Sequence, residues 1–147
     1  MNKITYDKEA CACAVALDLL GDKWSLLIVR DLFRGKNTYS AFLFESAEKI
    51  ASNVLNDRLK KLRGLGIIEF RRNAKDLKIK EYYLTDRGID LYPIIYELQK
   101  WTIKHVNFRF TENTEKWNIF CGSNTEEVVV EHYVESYKKL RLENFGF

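Results

Sequence analysis

Long apolar runs are missing from this sequence. The longest, Ala10 to Leu17, stops at Asp18, whereas a bilayer-spanning helix needs roughly 20 apolar residues, so a soluble protein is expected. The same run makes a poor secretory leader, because Asp7 and Glu9 interrupt its would-be basic part and Asp18 cuts the apolar part short. Proline occurs once and glycine seven times, which excludes a fibrous or low-complexity chain and leaves long helices open. The three cysteines, Cys11, Cys13 and Cys121, are an odd count that builds no disulfide framework, and cytoplasm is the expected compartment. The only histidines, His105 and His132, stand far from Cys11 and Cys13, so neither a metal nor a cofactor is expected. No glycine-rich phosphate loop, nucleophile elbow or acid and base pair is recognisable, which points away from an enzyme.

What is present is a folded composition, 46% hydrophobic and 31% charged over 147 residues, enough for one main domain with a small appendage. The net charge of +3 is unevenly distributed. Residues 49–80 hold ten basic and three acidic groups, a net +7, while residues 1–48, 81–104 and 105–147 sum to −1, −1 and −2. Excess positive charge confined to one window is the footprint of a polyanion-binding surface.

Helical spacing of Val15, Ala16, Leu19 and Leu20 predicts a first helix from about Ala10 to Leu20, closed by Gly21. Asp22 is placed to cap a second helix carrying Trp24, Leu27, Ile28 and Leu32 on one face. Thr38 or Ser40 then caps a short helix with Phe42, and a turn through Ser46 to Ile50 leads to a longer helix from Ala51 or Ser52 to Leu62. There Val54, Leu55, Leu59 and Leu62 form the buried stripe, leaving Ser52, Asn53, Asn56, Lys60 and Lys61 outward. Two helices joined by a turn, the second with an outward face of amides, hydroxyls and cations, is a helix-turn-helix pattern. Most polar stripes are merely solvated, so the next segment decides.

Past Gly64 and Gly66, IIEFRR and IKEYYL read as two strands around NAKDLK, a hairpin carrying Arg71, Arg72, Lys75, Lys78 and Lys80. Lysine on an edge strand also discourages aggregation, but +7 across helix and hairpin exceeds that need. A last major helix is expected from Thr85 as cap, with a kink or a weakened turn at Pro93 and Leu91, Ile94, Ile95, Leu98 and Trp101 as its apolar set. A second copy of the chain is the economical cover for that set, so these five are the expected dimer interface. Residues 106–147 form an extension of unassigned role, with WNIFC expected as a strand and the stretch with Val129, Tyr133 and Leu140 as a helix. The fold class is thus mainly α with a small β-hairpin wing, a winged helix-turn-helix over residues 1–105.

From Cys11 to residue 104 the order and spacing resemble the HxlR-type family of winged-helix regulators, related in architecture to MarR-type regulators. The resemblance rests on Cys11 followed by Leu17 and Asp18, on LLGDKWSLLIVRDLFRG, on YSAFLFESAEKIASNVLNDRLKKLRGLGII, and on YYLTDRG. It implies a dimer built from the first and last helices, the Ala51 to Leu62 helix in the major groove, and the wing near flanking backbone or minor groove. Ala12 stands where the family commonly has Pro, and Ala47 and Lys49 where it commonly has Pro and Gly. Several members sense oxidants through the N-terminal cysteine, and the residue that aligns is Cys11.

The expected function is a DNA-binding transcriptional regulator acting as a homodimer on a palindromic operator, switched by the Cys11 thiol or by a small-molecule effector. In that role Ser52, Asn53 and Asn56 approach base edges, Arg58, Lys60 and Lys61 serve the backbone, and Arg71, Arg72 and Lys75 hold the wing on phosphates. Arg58 lies between Leu55 and Leu59, so a structural ion pair is its alternative. For Cys11 the alternative is a small buried hydrophobe. The competing function is a winged-helix protein interaction module, which a lysine-rich surface disfavours.

Overall fold

In the computed structural model, which describes residues 1–147, several of the helices begin where a side chain satisfies their first N–H groups. Helix α1 (Ala12–Leu20) ends at Gly21, where a side chain would sit 2.3 Å from the Leu17 carbonyl oxygen. Asp22 accepts from the N–H groups of Trp24 at 3.1 Å and Ser25 at 2.9 Å and starts α2 (Lys23–Phe33). Thr38 accepts from Ala41 N at 3.1 Å and starts α3 (Tyr39–Phe44). Helix α4 (Ser52–Gly64) follows, and Gly66, at φ +69°, turns the chain into β1 (Ile68–Arg72). Strand β2 (Lys80–Leu84) returns antiparallel, pairing Ile68 with Leu84, Phe70 with Tyr82 and Arg72 with Lys80.

The chain divides into two compact units, Met1–Gly88 and Ile89–Phe147. The first is built on Ile28, Val29 and Leu32 of α2, Phe42 of α3, Leu55, Leu59 and Leu62 of α4, and Ile67, Ile68, Tyr82 and Leu84 around the hairpin, all buried. Each large side chain so covered contributes about 1.5 to 3 kcal/mol relative to exposure. Trp24, Leu27 and Val54, expected on the buried stripes, are only half-buried.

A polar clamp fixes the turn between α3 and α4. Arg30 donates to both carboxylate oxygens of Glu48, at 2.7 and 2.9 Å, and to the buried Asp31 at 2.7 Å, while Ser46 Oγ donates to Glu48 at 3.0 Å. The bidentate guanidinium holds the Glu48 carboxyl down at about 2, below its ordinary 4.5. In the same turn Lys49 is the one non-glycine residue with positive φ, 59°.

Two expectations are corrected. The helix after β2 is not continuous through Pro93: α5 (Asp86–Ile89) is one short turn, with Thr85 Oγ1 accepting from Gly88 N at 3.3 Å, and α6 (Tyr92–His105) starts afresh with Pro93 in its first turn. A proline has no N–H to leave unsatisfied there, so the ring starts a helix where the sequence reading expected it to kink one. Likewise WNIFC is not a strand but the C-terminal half of α7 (Glu112–Gly122), capped by Thr111, which accepts from Thr114 N at 3.2 Å. Trp117 and Cys121, four residues apart, are its buried positions, and an apolar run this short cannot distinguish strand from helix.

Helix α8 (Glu126–Phe145), capped by Thr125, completes the second unit as expected, burying Val129 and Tyr137 with Tyr133 and Leu140 half-buried. Its core is aromatic: Tyr92 stacks on Tyr133 at 5.1 Å, Tyr96 meets Trp117 at 5.5 Å, and Trp117 Nε1 donates to Tyr92 Oη at 3.0 Å. Helix α6 thus groups with α7 and α8, although the sequence reading ended the winged domain at residue 105.

Candidate nucleic-acid interface

Helix α4 presents Ser52, Asn53, Asn56 and Lys60 to solvent, opposite its buried leucines. Ser52, Asn56 and Lys60 recur every four residues, each step turning about 40° around the axis, so they form one ridge with Asn53 beside it. These groups offer amide pairs and a hydroxyl to base edges and an ammonium to phosphate.

The two remaining α4 cations are held differently. Arg58 Nε donates to Asp22 at 2.8 Å and its guanidinium also meets Asp57, while Lys61 Nζ reaches Asp22 at 3.2 Å. Asp22 therefore caps α2 and anchors α4 with one carboxylate. Partial burial acts to raise its pKa, but the hydrogen bonds from Ser25, Arg58 and Lys61 outweigh that and hold it well below the ordinary carboxylate range. The structural ion pair weighed for Arg58 exists, and Lys61 shares it.

In the wing, Arg71 lies 3.4 Å from Glu81, Arg72 donates to the Leu77 carbonyl at 2.9 Å, and Lys75 is exposed at the tip. Asn73 shapes that tip by accepting from Lys75 N at 2.8 Å and Asp76 N at 3.0 Å. Two cations not singled out for a phosphate role join the group. Arg63, from the last turn of α4, and Lys80, from β2, lie 4.3 and 4.6 Å from the centre of the Phe70 ring, with Arg72 at 5.9 Å. The alternation of β1 sets Phe70 and Arg72 on one face and the hairpin register places Lys80 opposite Arg72, a sequence signal for Lys80; Arg63 reaches the ring only through the packing of α4 on β1.

Cys11 is not buried: it is exposed at the N-cap of α1. The backbone N–H groups of Ala14 and Cys13 favour its thiolate and lower its pKa. Cys121 is the opposite case, its thiol pushed up by burial. Of the five residues expected at a dimer interface, Leu91 and Ile95 are buried within their own unit, whereas Ile94, Leu98 and Trp101 are exposed on α6. Helix α1 buries no residue at all, and Leu17 on it is 63% exposed.

A family model described as HxlR-like helix-turn-helix matches residues 19–110. The uncharacterized HTH-type transcriptional regulator YvaP of Bacillus subtilis (strain 168) is 32% identical over 98 residues, covering 66% of this chain and 89% of its own. Among solved structures, the reduced form of the transcriptional regulator YodB from B. subtilis has a TM-score of 0.55 and 28% identity over 66% of this chain and 95% of that one. The redox regulator HypR in its oxidized form has a TM-score of 0.59 and 25% identity over 67% of this chain and all of its own (100%). Helices α7 and α8 lie beyond the matched residues.

Proposed function

The chain belongs to the HxlR-like helix-turn-helix family of transcriptional regulators, and from that premise we propose that it works as a cytoplasmic homodimer on a palindromic operator, switched by the Cys11 thiol. The observation that carries the reading is the outward ridge of α4, with Ser52, Asn53, Asn56 and Lys60 exposed beside the most cationic part of the chain. Base edges are read by the amides and the hydroxyl, and Lys60, Lys75 and the wing arginines serve the phosphates.

Dimerisation is supported by α1. A helix of nine residues is too short to persist alone in water, and one that is apolar at eight of nine positions yet buries none needs a second surface. Ile94, Leu98 and Trp101, at i, i+4 and i+7 on α6, form another uncovered stripe. Two copies related by a twofold axis present two recognition helices to half-sites about one helical turn or a multiple of it apart, which is the origin of operator symmetry.

The exposed position of Cys11 and its stabilised thiolate support a thiol switch over a small-molecule effector. Diamide would take two electrons from two thiolates, closing a disulfide between protomers, since Cys13 sits two residues away on α1 and faces another direction. Genomic footprint selection with purified protein, run with and without diamide, tests the whole reading. A twofold-symmetric site that is released on oxidation, with Cys11→Ser still binding but no longer responding, is the expected result. An asymmetric site, or a Cys11→Ser response equal to wild type, removes the corresponding part. Absence of any salt-sensitive duplex binding would return the chain to the protein-docking reading.

A further inference from the structure

Three cations from three different elements converge on one ring. Arg63 ends α4, Arg72 ends β1 and Lys80 begins β2, yet all lie within 5.9 Å of the Phe70 centroid. Phe70 and Arg72 are two apart on β1, and their cross-strand partners are Tyr82 and Lys80, so the four side chains share one face of the hairpin. The ring is held from behind by buried Tyr82 at 5.6 Å, itself 6.0 Å from Phe42 of the core.

Each arginine is also steered: Arg63 Nε donates to Glu69 at 2.8 Å, and Arg72 to the Leu77 carbonyl. One carboxylate against three cations leaves the cluster positive. An aromatic face attracts cations through its quadrupole but neutralises none of them, so their mutual repulsion persists until an anion arrives. Two planar guanidinium forks and an ammonium suit the oxygens of a phosphate ester.

We propose that Phe70 is the floor of a cradle, walled by Arg63, Arg72 and Lys80, that receives a backbone phosphodiester of duplex DNA where the recognition helix gives way to the wing. The inference rests on the DNA-binding reading above and deepens it. Phe70 is a positioning residue, acting through the cations it aligns. Glu69 keeps Arg63 in place, and its own charge limits how deeply the phosphate enters.

The test is fluorescence anisotropy with mixed-sequence duplexes across a range of salt, because phosphate contacts are independent of sequence. Arg63→Met and Lys80→Met should each flatten the dependence of log affinity on log salt by about 0.9. Phe70→Leu keeps every charge, so it should weaken binding about three- to tenfold with the slope retained, and Phe70→Tyr, which keeps the aromatic face, should bind as wild type does. Wild-type slopes in both cation variants, or wild-type affinity in Phe70→Leu, would overturn the cradle. The two methionine variants replace one exposed and one half-buried side chain outside the core and decide the question even if Phe70→Leu does not fold. Inorganic phosphate at fixed ionic strength should leave DNA binding unchanged; saturable competition abolished by Arg63→Met would mark the site as one for free anions and overturn the assignment to the backbone. A wild-type protein without salt-sensitive binding would instead sink the DNA-binding reading itself.

Discussion

Replacing Lys49 by glycine should stabilise the protein. Lys49 lies in the turn between α3 and α4 with φ 59°, and its side chain is exposed. Left-handed backbone costs an L-residue roughly 1 to 2 kcal/mol, which glycine avoids. Glycine also loses more conformational entropy on folding, an opposing cost of about 0.5 to 1 kcal/mol. The difference favours Lys49→Gly by up to about 1.5 kcal/mol, with a midpoint of about 0.75. Lys49→Ala removes the same charge and keeps the strain, so it should match wild type, separating backbone from electrostatics. Urea unfolding followed by circular dichroism reads the effect as a higher midpoint at unchanged slope. A Lys49→Gly protein no more stable than Lys49→Ala would refute the strain argument.

Glu48 supplies a pH dependence. Its folded pKa, about 2, lies below the ordinary 4.5, so the stability it contributes is full above pH 4.5 and lost as pH falls towards 2. At about 1.4 kcal/mol per pKa unit the unscreened limit is roughly 3.5 kcal/mol, which solvent screening of this part-exposed pair reduces to about 1 to 2 kcal/mol, and Glu48→Gln should flatten that limb of a stability-versus-pH curve. Asp22→Asn keeps a capping oxygen but releases Arg58 and Lys61; mixed-sequence duplex binding should tighten and become more salt-sensitive, and an unchanged slope would mean the two cations never reach DNA. Tyr92→Phe leaves the buried Trp117 N–H without its acceptor, which should cost about 1 to 3 kcal/mol in thermal or urea unfolding.

The winged part was readable because its signals are local and mutually consistent. Asp22 and Thr38 cap the helices the pattern placed after them, Leu55, Leu59 and Leu62 recur at helical spacing, and Gly66 takes the positive φ that ends α4. What stayed hidden was set by tertiary partners. Pro93 is equally compatible with a kink and a helix start, and only the break at Asp90 and Leu91 decides between them. Trp117 to Cys121 became helical because Tyr92 and Tyr96 meet Trp117 from one side, a contact no window of sequence contains. Within the apolar set on α6, periodicity marks Leu91 and Ile95 as apolar but cannot say that they are buried while Ile94, Leu98 and Trp101 are exposed. The outward ridge of α4 was legible residue by residue, whereas the pairing of Lys61 with Asp22, 39 positions away, was not.

That pairing changes how the interface works in the free protein. Arg58 and Lys61 rest on Asp22, Arg71 lies near Glu81, and Arg72 bonds the Leu77 carbonyl, so much of the cationic surface is held by its own chain before any duplex arrives. Part-exposed contacts of this kind contribute about 1 kcal/mol each, too little to resist a polyanion whose binding is driven by counterion release. Their effect lies in geometry: a guanidinium already extended along Asp22 loses less rotamer freedom when a phosphate replaces the carboxylate. The amides of Asn53 and Asn56, exposed on the outward ridge of α4, are left adaptable. On the DNA-binding reading proposed above, positioning contacts are preset and reading contacts left adaptable, the division expected where phosphates fix the register and bases supply the specificity.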